Sequence, residues 1–405
     1  MNRAVAVCML VLAVACRPGG PLVDDGADGA DDADLPPSDR CGDDPQNAAT
    51  LCLNQSTLDI PARGLHVGDI DGDGNLDLAY FTAGGVELTV WLGDGDGRFT
   101  STDPISLPGA GIIQHLAELD GKPGTDVLTI GANGELTAFL NDGVGGFSTV
   151  VVSDPGPSAP WNFPIVADLD LDGRADVLAQ PLADPTTWHV LSNAGDGSFE
   201  ATGVTAPSDE FCYYTNHALM PAFSGFGGGL VIVEGECGGN QPGDRHLTLT
   251  WTRTNGEFLA ALGPPPGDSP GAIAVGEFGS KGTPDAIIWD LSAHAFRHYR
   301  SGFSGAFELH AELSWDQLCP ECGVSPSAPK LWAGHMDPGE VADLIIGAND
   351  MLYIGVDPLG ESPQWATFPI PATRVVVADF NNDGRDDLVI EVVANEPCIL
   401  LLSAP

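Results

Sequence analysis

What most constrains this chain is that it repeats itself. One copy reads HVGDIDGDGNLDLAYF and then VELTVWLGDGDGRF, residues 66 to 99. A second begins IVADLDLDGRADVLAQ at Ile165, and a third VVADFNNDGRDDLVIEV at Val376. Weaker copies start near His115, Ala274 and Trp332, and the weakest at Met220. Equivalent first loop positions are Asp69, Glu118, Asp168, Ala222, Glu277, His335 and Asp379, with successive separations of 49, 50, 54, 55, 58 and 44. A period near 50 with several short strands per copy means a propeller or a β-solenoid. Each copy carries four strand signals punctuated by Gly/Asp turns, which is the content of an antiparallel propeller blade. The last copy stops after its third strand, at Ile399 to Leu402, and the spare segment Ser56–Pro61 precedes the first copy. The expectation is therefore an all-β, seven-bladed β-propeller of four-stranded antiparallel blades over residues 51–405, closed by an N-terminal strand that completes the last blade. Closure of this kind covers edges that would otherwise template aggregation. With 52 Gly and 33 Pro in 405 residues, the composition suits a turn-rich all-β chain.

The first 50 residues read differently. Arg3 followed by the apolar stretch Ala4–Ala15 and the small-residue site Ala13-Val14-Ala15 has the form of an export signal, residues 1–15. Cys16 follows at once, which resembles a bacterial lipobox and predicts lipidation of Cys16; ordinary cleavage without lipid is the alternative. Residues 16–50, with DDGADGADDAD from Asp24, have almost no large apolar side chains and predict an acidic disordered tether. An exported, membrane-anchored lipoprotein of the outer membrane or cell surface of a bacterium is expected.

Three loops match D-x-[DN]-x-D-G-x-x-D: Asp69/Asp71/Asp73/Asp77, Asp168/Asp170/Asp172/Asp176 and Asp379/Asn381/Asp383/Asp387. Alternate positions in a tight loop aim side-chain oxygens at one centre. A Gly at position six (Gly74, Gly173, Gly384) permits the sharp turn, and the carbonyl at position seven (Asn75, Arg174, Arg385) adds a ligand. So many carboxylates repel one another unless a cation sits among them, and oxygen-only ligation favours Ca²⁺. About three structural Ca²⁺ sites are expected; an Asp-rich turn that binds nothing is the alternative. Position twelve is Tyr80, Ala179 and Ile390, so these are not EF-hands. The other loops look degenerate: Lys122 stands beside Glu118 and Asp120, and Ala222 and Gly229 leave no ligands in the fourth copy.

These motifs resemble those of FG-GAP/VCBS repeat proteins, whose propeller also occurs in integrin α-subunit heads and some fungal lectins. The resemblance spans almost all of residues 56–405, strongly in three copies and faintly in four. It implies calcium in the loops and ligand binding on the propeller surface.

A net charge of −42, from 57 acidic and 15 basic residues, repels phosphate backbones, so no nucleic-acid partner is expected. No HExxH or phosphate loop is present. His66 and His115 sit on innermost strands, where they can face a central channel together. Arg297, His298 and Arg300 form one small basic spot. In an exported protein the cysteines can pair. Cys212 with Cys237 and Cys41 with Cys52 are candidate bridges, Cys319 and Cys322 form a local or redox pair, and Cys398 is a buried strand residue. Trp161, Tyr213, Tyr214 and Trp315 lie in loops between copies and are ligand-face candidates; packing beneath those loops is the other reading. The function expected is a non-enzymatic, monomeric, calcium-binding surface propeller for protein or glycan recognition or adhesion. The alternatives are a polysaccharide lyase or hydrolase, or a purely structural envelope protein.

Overall fold

The computed structural model describes residues 51–403 apart from 52, 62–63, 83–85, 154–160, 171, 183–188, 204–211, 221–228, 238–246, 253–257, 263–269, 302–306, 321, 324 and 393–395; across 202–270 only the backbone of the strands is described. The export, lipidation and tether expectations, with Cys16 and Cys41, lie outside the described residues.

The repeats fold as consecutive antiparallel sheets of a β-propeller. The second repeat shows the plan: Ile113–Ala117, Asp126–Ile130, Leu136–Asn141 and Phe147–Ser153 pair in sequence order. The expectation of seven four-stranded blades is corrected: among the described residues six sheets have four strands, and the sheet of the first repeat has five. There the outer strand is cut in two at Asp103-Pro104. Phe99–Ser101 pairs with Trp91–Gly93, while Ile105–Ser106 pairs with Glu87–Leu88 on the same strand. Pro104 has no N–H to offer the ladder, so the pairing breaks there.

The final sheet joins the two ends of the described chain. Leu53–Pro61 pairs antiparallel with Pro397–Ser403, from Leu53 opposite Ser403 to Pro61 opposite Pro397. This is the closing strand expected at Ser56–Pro61, three residues longer at its start.

The cores lie between sheets. Ile70, Ala79, Leu88 and Val90 of the first repeat pack on Val127 and Phe139 of the second. Leu128, Ala138 and Leu140 pack on Val177, Ala179 and Leu191 of the third. The fifth and sixth repeats share Trp289, Phe296, Leu344 and Ile346. Leu78 and Trp91 of the first meet Phe380, Val389 and Leu400 of the last. Second strands such as Asp126–Ile130 and Asp343–Ala348 are nearly all buried because sheets cover both of their faces.

Backbone hydrogen bonds stitch neighbours together at the Asp-loop end. In four repeats the residue before the ninth-position aspartate donates its N–H to the first-position carbonyl of the preceding loop: Thr125 to Asp69 (2.6 Å), Ala175 to Glu118 (2.7 Å), Ala342 to Glu277 (3.1 Å) and Asp386 to His335 (2.7 Å). Side chains reinforce this. Asn141 Nδ2 donates to the carbonyl of Ile70 (2.7 Å), and Asn193 Nδ2 to that of Leu119 (2.9 Å). The last loop is tied to the first by Gly97 N–H to the Phe380 carbonyl (3.2 Å) and Asn382 Nδ2 to Asn75 Oδ1 (2.9 Å).

Candidate functional site

Each Asp loop joins the first and second strands of its repeat, and its ninth residue opens the second strand. Gly68 pairs with Asp77, Ala117 with Asp126, Ala167 with Asp176, Gly276 with Asp285, Gly334 with Asp343 and Ala378 with Asp387. All six aspartates are buried. One oxygen of each draws the loop shut by accepting an N–H: from Ile70 (2.7 Å), Leu119 (2.8 Å), Leu169 (3.2 Å), Gly279 (2.7 Å), Met336 (2.7 Å) and Phe380 (2.8 Å) respectively. In four repeats the other oxygen holds the end of the third strand, accepting from Gly93 (2.8 Å), Asn141 (2.7 Å), Asn193 (2.9 Å) and Ser403 (2.6 Å). Oδ1 of Asp285 and of Asp343 has no hydrogen-bond partner.

Burial disfavours the charged form of these groups, against the pull of the N–H bonds. It pushes Asp77 and Asp126 up to about 6, and Asp176, Asp343 and Asp387 up to about 7. The ninth aspartate is therefore a structural staple first. That role accounts for Asp285 and Asp343 in loops that keep only one other acidic residue at a ligand position, Glu277 and Asp337, a signal already present in the sequence. In the fourth repeat Gly229 pairs with Met220 and takes the aspartate's place in the register.

Among the described residues, three groups of carboxylates bring one oxygen each within 4.8 Å of the others: Asp69, Asp71 and Asp77; Asp168, Asp170 and Asp172; and Glu118, Asp120 and Asp126. The first two are expected sites, and their donor set of convergent hard oxygens fits Ca²⁺. Mutual repulsion shows in their protonation: desolvation and the neighbouring carboxylates raise the pKa of Asp71 and of Asp170. The turn is held from within. Asp69 accepts N–H bonds from Gly72 (2.8 Å) and Gly74 (3.0 Å), and Asp73 accepts from Asn75 (2.8 Å). Gly74, Gly173 and Gly384 have φ of 90°, 87° and 82°, the left-handed conformation expected of position six. In the Asp168 loop the Arg174 guanidinium pairs with Asp172, whose Oδ1 also accepts the Arg174 N–H (2.9 Å).

The other two acidic loops depart from expectation in opposite ways. Asp379, Asp383 and Asp387 do not converge as a carboxylate triad. Asn381 Nδ2 instead donates to the Ser403 carbonyl (3.0 Å) and to Asp383 (3.3 Å), while Arg385 N–H donates to Asp383 (2.9 Å). The Glu118 loop does converge, and Lys122 forms an ion pair with Asp120, placing an ammonium beside the cluster as its sequence suggests.

The aromatic candidates need correcting. Trp161 is only 8% exposed and donates Nε1–H to the Gly134 carbonyl (3.0 Å). Trp315 is 2% exposed, donates to the Gly323 carbonyl (3.2 Å), stacks on Phe296 and meets Tyr353 edge-on. It opens a short helix, Trp315–Leu318, capped by Ser314, that the sequence reading did not anticipate. Both rings serve packing, because each indole satisfies its N–H beneath a loop. The side chains of Tyr213 and Tyr214 lie outside the described residues. His66 and His115 do approach each other, with ring centroids 6.4 Å apart; burial, with Arg374 and His115 nearby, lowers the pKa of His66 to about 4. Cys319 and Cys322 form a disulfide, Cys398 is a buried free thiol, and Cys212 stands opposite Cys237 in the strand register.

The sequence of these loops matches the profile of the FG-GAP-like repeat over residues 69–121 and again over 118–179. The chain carries FG-GAP-like repeats. Among solved structures it is similar to an Agrocybe aegerita lectin described as recognising non-reducing terminal N-acetylglucosamine, at 13% identity and a TM-score of 0.52, covering 78% of this chain and 80% of that one. It is also similar to BBS1N in complex with ARL6DN, in a crystal soaked with lead, at 10% identity and a TM-score of 0.53, covering 86% of this chain and 96% of that one. At these identities the likeness is one of fold. No curated protein sequence matches the chain.

Proposed function

We propose that this protein is a non-enzymatic recognition module whose FG-GAP-like propeller is stabilised by calcium. The observation that carries the calcium reading is the convergence of three carboxylate oxygens within 4.8 Å in each of the loops at Asp69 and Asp168. Ca²⁺ is held by Asp69, Asp71, Asp73 and Asp77, by Asp168, Asp170, Asp172 and Asp176, and more weakly by the Asp379–Asp387 loop. The ion's task is structural: it offsets carboxylate repulsion in the loop that joins two strands. The module acts as a monomer, held outside the cell by lipid on Cys16 and spaced from the membrane by residues 17–50. Its ligand is a protein or a glycan, met by loops of the propeller surface. Trp161 and Trp315 are not part of that surface, whereas Tyr213 and Tyr214 stay candidates for it.

The test has two parts. Calcium titration by calorimetry, with melting followed in calcium and in chelator, reads the metal; an unchanged melting temperature defeats the calcium reading. A glycan panel probed with folded protein in calcium, including N-acetylglucosamine-terminated glycans, reads the ligand. Selective binding supports glycan recognition, and a blank panel moves the proposal to a protein ligand.

A further inference from the structure

A cleft of about 360 Å³ opens between the outer strands of the fifth repeat, the helix Trp315–Leu318 and the loop after the third strand of the sixth repeat. It is within the size range of small-ligand sites. Arg300, His298 and His310 line it together with Leu313, Leu318 and Leu359.

A β-bulge builds the polar wall. Ala295–Ser301 pairs with Phe307–Ser314, with His298 opposite Ala311 but Tyr299 opposite Leu309. His310 is the extra residue. The slip brings His310, in place of Leu309, to the face carrying His298 and Ala311, and the two imidazole rings stand 5.3 Å apart. Bulges commonly re-aim a side chain beside a site.

Arg300 is the second observation. Among the described residues Lys122, Arg174, Lys281, Arg297 and Arg374 each pair with a carboxylate. Arg300 forms no ion pair, although Asp285 lies opposite it on the preceding strand and Glu308 on the next, and its buried Nε has no hydrogen-bond acceptor. A guanidinium that forms no ion pair keeps donors for a carboxylate, even in a chain of net charge −42. The chain's remote acidity does not forbid this, because physiological salt screens charges over about 8 Å. His298 is 3% exposed, and its Nε2 lies 3.4 Å from Asp285 Oδ2 without forming a hydrogen bond. Asp285 thus stands beside both His298 and Arg300, with its Oδ2 held by the Gly279 N–H. Glu361 at the rim adds a negative charge that disfavours multiply charged anions.

We infer that this cleft binds a small organic monocarboxylate, whose carboxylate meets Arg300 and the His310 imidazole while its apolar body lies on Leu313, Leu318 and Leu359. The cleft shares no residue with the acidic loops proposed to hold calcium, so failure here leaves that reading standing.

Calorimetric titration of the purified protein with benzoate tests it, with benzamide as the uncharged isostere. Saturable benzoate binding is expected, at least tenfold weaker in Arg300→Gln and several-fold weaker in His310→Ala, with no binding of benzamide. Leu359→Trp fills the cleft without changing charge and is expected to abolish binding. If Arg300→Gln does not fold, as read by its melting curve, His310→Ala and Leu359→Trp decide. Absence of saturable benzoate binding, equal binding of benzamide, or binding unaffected by the folded variants overturns the inference.

Discussion

The backbone N–H of Thr125 bonds to the carbonyl of Asp69, 2.6 Å away in the preceding repeat. Asp69 thus faces two ways. Its carboxylate belongs to the acidic cluster of its own loop, and its carbonyl holds the next sheet. Metal binding in the first loop therefore bears on the interface between the first two repeats as well as on the loop. At the fifth repeat the equivalent donor is Pro284, which has no N–H, so this link cannot form there.

The staple is testable at Asp126. Its two oxygens hold the N–H groups of Leu119 and Asn141, both buried. Asp126→Ala strands both donors, at about 1–3 kcal/mol each. A loss of roughly 2–6 kcal/mol in urea unfolding is expected, and Asp126→Asn, which keeps one acceptor, loses less. Equal stability of the wild type and the alanine variant would show that water replaces the carboxylate.

Asp343 makes a pH prediction with a definite sign. Burial raises its folded pKa to about 7, above its unfolded value, so between the two the folded state binds more protons. Its contribution to stability is fully present below the unfolded pKa and is lost as pH rises through about 7. Asp343→Asn mimics the protonated carboxyl. The variant is expected to lose less stability than the wild type from pH 4 to pH 8, measured by denaturant unfolding across that range. Parallel curves would mean that Asp343 is ionised throughout.

Loop variants separate metal ligation from charge neutralisation. Asp71→Ala is expected to remove about one equivalent of bound calcium and part of the calcium-dependent rise in melting temperature. A site saturated at 100 times its Kd contributes about 2.7 kcal/mol. Asp120→Ala is expected to leave calcium stoichiometry unchanged, because Lys122 already pairs with that carboxylate. A fall in stoichiometry on Asp120→Ala would place an ion in the second loop.

The closing strand predicts an asymmetry between two deletions. Removing residues 17–50 leaves Leu53–Pro61 paired with Pro397–Ser403 and is expected to leave the melting temperature unchanged. Removing 17–61 exposes the edge of Pro397–Ser403 and takes the buried Ile60 out of the core it shares with Val389, Cys398 and Leu400. A large drop in melting temperature, with aggregation in size-exclusion chromatography, is expected. Identical melting curves would mean that the strand contributes little to the ring.

Local information was enough for the repeat and its turns. The period, the Gly at position six and the alternating acidic positions depend on neighbours along the chain, so the strand order within each repeat and the loop conformation were legible in the sequence, and the last copy's missing fourth strand pointed to the pairing of Leu53–Pro61 with Pro397–Ser403. Tertiary structure decided whatever depends on the other sheet. Trp161 and Trp315 read from the sequence as loop residues free to be exposed, but they open a strand and a short helix, and each indole N–H is met by a carbonyl, Gly134 for one and Gly323 for the other. Asp77 reads as one more ligand, yet its burial and its bond to Gly93 arise only when the third strand lies alongside. The loop at Asp379 matches the metal pattern in letters, while the Ser403 carbonyl, 22 residues away, draws Asn381 aside. The sequence shows Arg297, His298 and Arg300 as a basic spot. Only the bulge that adds His310, and the sixth-repeat loop that brings Leu359 opposite, turn that spot into a cleft, because cavity walls are made by segments that meet only on folding.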